Sequence, residues 1–236
     1  MDPAFVLVHS PSVGPATWKP VAERLPGTVV VPSLLDVADA PPPFWPRVVE
    51  LVAKAVAELP AGQPVVLVAH SNAGLFVPVI VDASPRPVAG CVFVDAALPA
   101  RTGATPVAPV DLIRFLESKA GDDGRLPPWT AWWDEADVAP MFPDPSTRAV
   151  VEAEQPRLPL SYYRQLVPVA PHWDRRPCAY LLFGPPYDEA AAEARARGWD
   201  VTEIPGKHLH EIVDPDAVTA YLLATRTRFT ALMRQP

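Results

Sequence analysis

The apolar run Val65-Val66-Leu67-Val68-Ala69 leads directly into His70-Ser71-Asn72-Ala73-Gly74, and few folds accommodate that junction. Continuous apolarity, rather than alternation, suits a strand of a parallel sheet that is covered on both faces. A serine with small residues two positions to either side, here Ala69 and Ala73, fits a sharp strand-to-helix turn in which bulkier neighbours would clash. The plainer alternative is a serine that only caps a helix. Pro78, a few residues on, removes a backbone donor and is expected to kink the helix that follows.

Other short runs rich in Val, Leu, Ile and aromatics have the same character: Phe5 to His9, Thr28 to Val31, Gly90 to Val94, Ala179 to Phe183 and Asp200 to Ile204. Together they predict a mostly parallel sheet of about six strands. Helical patterns fall between them. Val48, Leu51, Val52, Ala55, Val56 and Leu59 repeat at three-and-four spacing, with Glu50, Lys54 and Glu58 opposite. A shorter helix is expected around Trp18 to Leu25, and Asp214-Pro215 opens a last one. Alternating strands and helices give an α/β class with three layers. The stretch between Val94 and Ala179 is far longer than the about 2 to 6 residues of an ordinary strand-to-helix loop. It predicts an inserted helical cap over 101–173, with the core formed by 1–100 and 174–236. Trp129, Trp132, Trp133, Tyr162 and Tyr163 lie in that insertion and are expected to wall an apolar pocket, although each ring alone could simply pack the insertion's own core.

Composition narrows the partners. With a formal charge of -7 and no run of Lys or Arg, nucleic acid is an unexpected partner. The 33 prolines are spread through the chain and read as punctuation between elements. Cys91 and Cys178 sit in apolar runs and read as buried thiols in a reducing compartment. No basic leader is visible, and no apolar run approaches the about 20 residues needed to cross a bilayer, so a soluble cytoplasmic protein without a membrane partner is expected.

A serine needs a base to act as a nucleophile near neutral pH. Of His9, His70, His172, His208 and His210, only His208 and His210 lie on the loop after the last strand, and His208 is nearer the sheet edge. His208 is therefore preferred as base, with His210 as the alternative and His70 as a structural residue. An acid that orients the histidine is expected after the preceding strand. Asp188 is the first candidate there, although Asp188 followed by Glu189 equally suits a helix N-terminus. Asp95, at the end of Val92-Phe93-Val94, is the alternative.

The elbow, the position of the insertion and the terminal histidine loop resemble those of the α/β-hydrolase superfamily across nearly all of the chain. Val6-Leu7-Val8-His9-Ser10-Pro11-Ser12-Val13-Gly14, running on to Trp18, is similar to that family's His-Gly oxyanion loop, with Ser10 where glycine is usual. Compact members of the family include esterases, thioesterases and hydroxynitrile lyases. The resemblance implies no cofactor and no metal, and an oxyanion hole with one donor from the Asn72 amide. Its second donor falls at Pro11, which has no N–H, so either a Ser10 or Ser12 hydroxyl or the Ser12 amide replaces it, or the protein is a weak hydrolase. The expected activity is serine hydrolysis of a small ester, thioester or related acyl substrate with an apolar body. The alternative is a lyase, isomerase, cyclisation catalyst or binding protein that uses the same pocket.

Overall fold

A computed structural model describes residues 1–233. Its strands, in chain order, are β1 (Ala4–Val8), β2 (Val29–Val30), β3 (Val65–His70), β4 (Val88–Val94), β5 (Ala104–Pro106), β6 (Leu166–Pro168), β7 (Cys178–Leu182) and β8 (Asp200–Glu203). Six of them form one sheet in the order β2-β1-β3-β4-β7-β8. Every pairing in it is parallel.

The continuous apolar runs are explained by cover on both faces. In β1 and β3, Ala4, Val6, Val8, Val65, Leu67 and Ala69 face one core with helices Trp45–Ala57 and Val77–Ala83. Phe5, Leu7, Val66 and Val68 face the other, with Trp18, Val21 and helix Pro215–Met233. The final helix approaches the sheet closely because Gly90 has no side chain: a Cβ there would lie 2.2 Å from the Phe229 ring. Cys91 and Cys178 are paired neighbours on β4 and β7, both buried and both free thiols.

Pro78 does not kink its helix. The segment after β3 starts as a 3-10 turn, Ser71–Phe76, and becomes α-helical only at Val77, so Pro78 occupies the first α turn, where a missing N–H costs little.

Between β4 and β7 the chain forms short helices and a two-stranded antiparallel ribbon, β5 with β6. Its longer helices are Val110–Glu117 and Pro145–Glu154, the latter capped by the Asp144 carboxylate. This segment is tied to the core by specific polar contacts. Gln165 Oε1 accepts the N–H groups of Phe44 and Trp45 (2.9 and 3.0 Å), satisfying the N-terminus of helix Trp45–Ala57. Glu154 Oε2 accepts the Ala16 N–H at 2.7 Å. Among the described residues no helix is long and apolar enough to cross a membrane.

Candidate active site

The site lies at the carboxyl end of the parallel sheet, where neighbouring strands deliver their side chains to one place. β3 ends in a tight turn that holds Ser71 at a φ of 59°, a left-handed conformation unusual for a residue with a side chain. Two contacts enforce it. The Ala97 N–H donates to Ser71 O (3.1 Å), and Gly74 packs so tightly that a Cβ would lie 2.2 Å from Ala97 O.

From that turn a continuous line of hydrogen bonds runs inward. Ser71 Oγ is 2.9 Å from His208 Nε2, and His208 Nδ1 is 2.6 Å from Asp95 Oδ2. The carboxylate is an acceptor, so Nδ1 carries the proton and Nε2 presents its lone pair to the serine hydroxyl. Asp95 is fully buried, and its other oxygen, Oδ1, accepts the Phe183 N–H at 3.0 Å. Tyr180 fastens the next residue, accepting the Ala96 N–H (3.0 Å) and donating to Ala96 O (2.7 Å).

The carboxylate on His208 is therefore that of Asp95, not Asp188 as first expected. After β7 the chain turns through Gly184-Pro185-Pro186 and begins helix Asp188–Ala196, leaving Asp188 exposed in its first turn. There it complements the helix dipole, together with Glu189. Asp95 directly follows β4, which pairs with β3 and brings Val94 opposite His70. The histidine bonded to Ser71 is His208. His210 packs against Phe183, with ring centroids 5.4 Å apart.

Behind His208 lies a buried polar pair. His70 Nε2 donates to His208 O at 2.9 Å, and its Nδ1 is 3.4 Å from Glu211 Oε1. Burial pushes His70 well below its ordinary value, helped by His208, and pushes Glu211 well above its own, so the two are held neutral. His9 is also buried and held down at about 4 by that burial. It accepts the Leu34 N–H at Nε2 (3.0 Å), so its Nδ1 donates to Ser10 O (2.8 Å).

The loop at the end of β1 offers no free backbone donor from residues 11 to 13. Pro11 has none, the Ser12 N–H reaches Ser10 Oγ at 3.3 Å, and the Val13 N–H donates to Ser10 O at 3.0 Å. The Ser12 amide expected as a substitute is thus already engaged. The Ser10 and Ser12 hydroxyls lie 3.4 Å apart, and Ser12 Oγ is 2.5 Å from Tyr163 OH. The Asn72 side chain is held between Tyr162 OH (2.6 Å) and Val107 O (3.1 Å), which fixes the turn bearing its amide.

A cavity of about 470 Å³ opens over Ser71 and His208. Ser10, Ser12 and Asn72 line it, as do Trp129, Trp132, Trp133 and Tyr163 of the insertion. Tyr162 does not line it: fully buried, it is a fastener of Asn72 rather than a wall. Leu112, Asp137, Met141, Pro185, Pro186, Tyr187 and Lys207 also line the cavity and were not expected there. The Tyr187 ring stacks on His208 with centroids 5.1 Å apart, and its hydroxyl lies 3.3 Å from Ser71 Oγ. No pattern in the sequence marks Tyr187, because its position depends on a loop whose path is set by tertiary contacts. A more open cleft of about 530 Å³, beside Asp82, His172 and Arg175, contains none of these residues.

Comparison with known proteins agrees with this geometry at the level of fold. An extracellular α/β-hydrolase from a Paenibacillus species, described as sharing structural and functional homology with tobacco salicylic acid binding protein 2, superposes with a TM-score of 0.71 at 16% identity, covering 94% of this chain and 98% of that one. Tomato methylketone synthase I in complex with beta-ketoheptanoate gives a TM-score of 0.77 at 16% identity, covering 97% and 98%. Polyneuridine aldehyde esterase gives 0.69 at 16% identity, covering 95% and 99%. No curated protein sequence matches the chain. A family model described as the alpha/beta hydrolase family matches residues 5–220. That match spans the elbow, the insertion and the histidine loop, and the chain belongs to the alpha/beta hydrolase family.

Proposed function

We propose that the protein is a serine esterase for small esters with an apolar, ring-bearing body. The observation that carries this reading is the unbroken line from Ser71 Oγ through His208 to Asp95 at 2.9 and 2.6 Å, opening into an aromatic-walled cavity. In the reaction, His208 Nε2 takes the Ser71 proton as Oγ attacks the ester carbonyl carbon. Asp95 stabilises the imidazolium. The tetrahedral intermediate collapses by breaking the carbon–oxygen bond to the leaving alcohol, which receives the proton from Nε2. Water then attacks the acyl carbon, giving its proton to His208, and the acid leaves as Ser71 regains its hydrogen. A cavity of about 470 Å³ suits one compact substrate, with the tryptophans packing its body.

A second reading is favoured by one specific observation, the loop that lacks a free amide at residues 11 to 13. Without a second oxyanion donor, Ser71 and His208 would serve proton transfer in a lyase-type reaction better than acyl transfer. Steady-state kinetics with p-nitrophenyl and phenyl esters of short acids separate the two readings. The esterase reading expects saturable turnover that Ser71→Ala abolishes. Turnover no faster than the uncatalysed rate, or equal in Ser71→Ala and wild type, would contradict it.

A further inference from the structure

We propose that the Tyr187 phenol is the second donor to the oxyanion, standing in for the backbone N–H that Pro11 removes. The inference rests on the serine-esterase reading and deepens it.

The loop after β1 lacks a free backbone donor at residues 11 to 13, because Pro11 has no N–H and those of Ser12 and Val13 are both spent on Ser10. The Ser12 hydroxyl is paired at 2.5 Å with Tyr163 OH and lies 3.4 Å from Ser10 Oγ. Tyr187 differs from these groups, since its hydroxyl is within reach of the reacting atom itself, 3.3 Å from Ser71 Oγ. In the resting site the Ser71 hydrogen is committed to His208 Nε2, so the phenol is the donor of that pair and the serine oxygen the acceptor. When Oγ bonds to the carbonyl carbon, the oxygen that gains negative charge is two bonds away. It becomes the strongest acceptor within the phenol's reach, and a small swing of the O–H transfers the bond to it.

The ring is preorganised for this. It stacks face to face on His208, at an interplanar angle of 17°, and the Tyr187 backbone N–H donates to Gly184 O at 3.2 Å. The same turn supplies the Phe183 N–H that holds Asp95. One loop therefore fixes the acid and the phenol together. Burial raises the Tyr187 phenol to about 12, so it keeps its hydrogen through the neutral range.

Tyr187→Phe keeps the stacked ring and removes only the hydroxyl. With p-nitrophenyl acetate, kcat is expected to fall about 100- to 1,000-fold, the cost of losing one oxyanion donor, with KM little changed. A boronic acid that mimics the tetrahedral intermediate on Ser71 is expected to bind more weakly by a similar factor, whereas the acid product binds as before. Adding Pro11→Gly restores an N–H at residue 11, and the double variant should regain much of the lost rate, although Pro11→Gly gains little in the wild-type background. Ser71→Ala is the control that separates the two claims. If Ser71→Ala is inactive but Tyr187→Phe retains wild-type kcat and boronate affinity, the inference is overturned and the esterase reading stands. If Ser71→Ala turns over esters like wild type, the esterase reading fails and the inference falls with it. If Tyr187→Phe loses boronate and product affinity alike, the phenol is a binding or packing group and the inference is likewise overturned.

Discussion

Asp95 and Asp188 both follow a buried strand, and the difference between them comes from backbone position rather than residue type. Asp95 has a φ of 41° at the end of β4 and turns its carboxylate under His208, while Asp188 enters a helix with its side chain in solvent. Asp95→Asn retains the shape but cannot hold the proton on Nδ1 in the same way, so kcat is expected to fall by up to about 10⁴-fold. Asp188→Asn should leave kcat unchanged. Parallel steady-state assays of the two variants check this, and the reverse ranking would move the orienting role to Asp188. The elbow at Ser71 and the loop that brings a histidine to it were legible in the sequence, although His208 and His210 both stayed open there; the structure puts His208 beside Ser71. The acid was not legible, because two carboxylates satisfied the same local pattern and strand neighbourhood decided between them. Tyr187 had no local signature at all.

At the scale of elements, several long-range fastenings hold the loops that frame Ser71. His9 links the end of β1 to the segment after β2 by accepting the Leu34 N–H, and that role requires the neutral ring. Its folded value of about 4 lies below the ordinary value of 6.5, so the unfolded chain binds the proton more readily. The stability that His9 contributes is complete above the ordinary value and is lost as the pH falls toward 4. Between about pH 7.5 and pH 5 this amounts to about 2 kcal/mol. His70, held low by burial, adds to the loss in the same direction. Glu211 acts oppositely, since its raised value makes it stabilising at low pH and less so as the pH climbs. Urea unfolding at the two pH values should therefore show a smaller pH-dependent loss in His9→Gln than in wild type. An equal loss in both proteins would show that His9 does not bind its proton with this difference.

The amphipathic pattern from Val48 to Leu59 revealed the helix that became Trp45–Ala57, yet nothing nearby revealed that Gln165 caps it. The ribbon of β5 and β6 was equally hidden. Its strands are three residues long and each ends in proline, too short for alternation to register. Local periodicity marks the elements with a long apolar face. It is silent on contacts between segments far apart in the chain.

Across the whole molecule, the order β2-β1-β3-β4-β7-β8 makes the site. Ser71, Asp95, the Phe183-to-Tyr187 turn and His208 follow β3, β4, β7 and β8, which are consecutive neighbours in the sheet. Buried strands were visible as continuous apolar runs because both faces of the sheet are covered. Their spatial order was not, since crossover connections leave no imprint on the strands themselves. The insertion between β4 and β7 adds Tyr162, which holds Asn72, and Tyr163, which is bonded to Ser12. If this assembly activates Ser71 as proposed, a fluorophosphonate probe, read by intact mass and peptide mapping, labels that residue, because phosphonylation requires a serine deprotonated by its histidine. A single adduct on Ser71, slowed in Asp95→Asn and absent in Ser71→Ala, is the predicted result; no adduct on wild type, or an adduct of undiminished rate in Ser71→Ala, would contradict it.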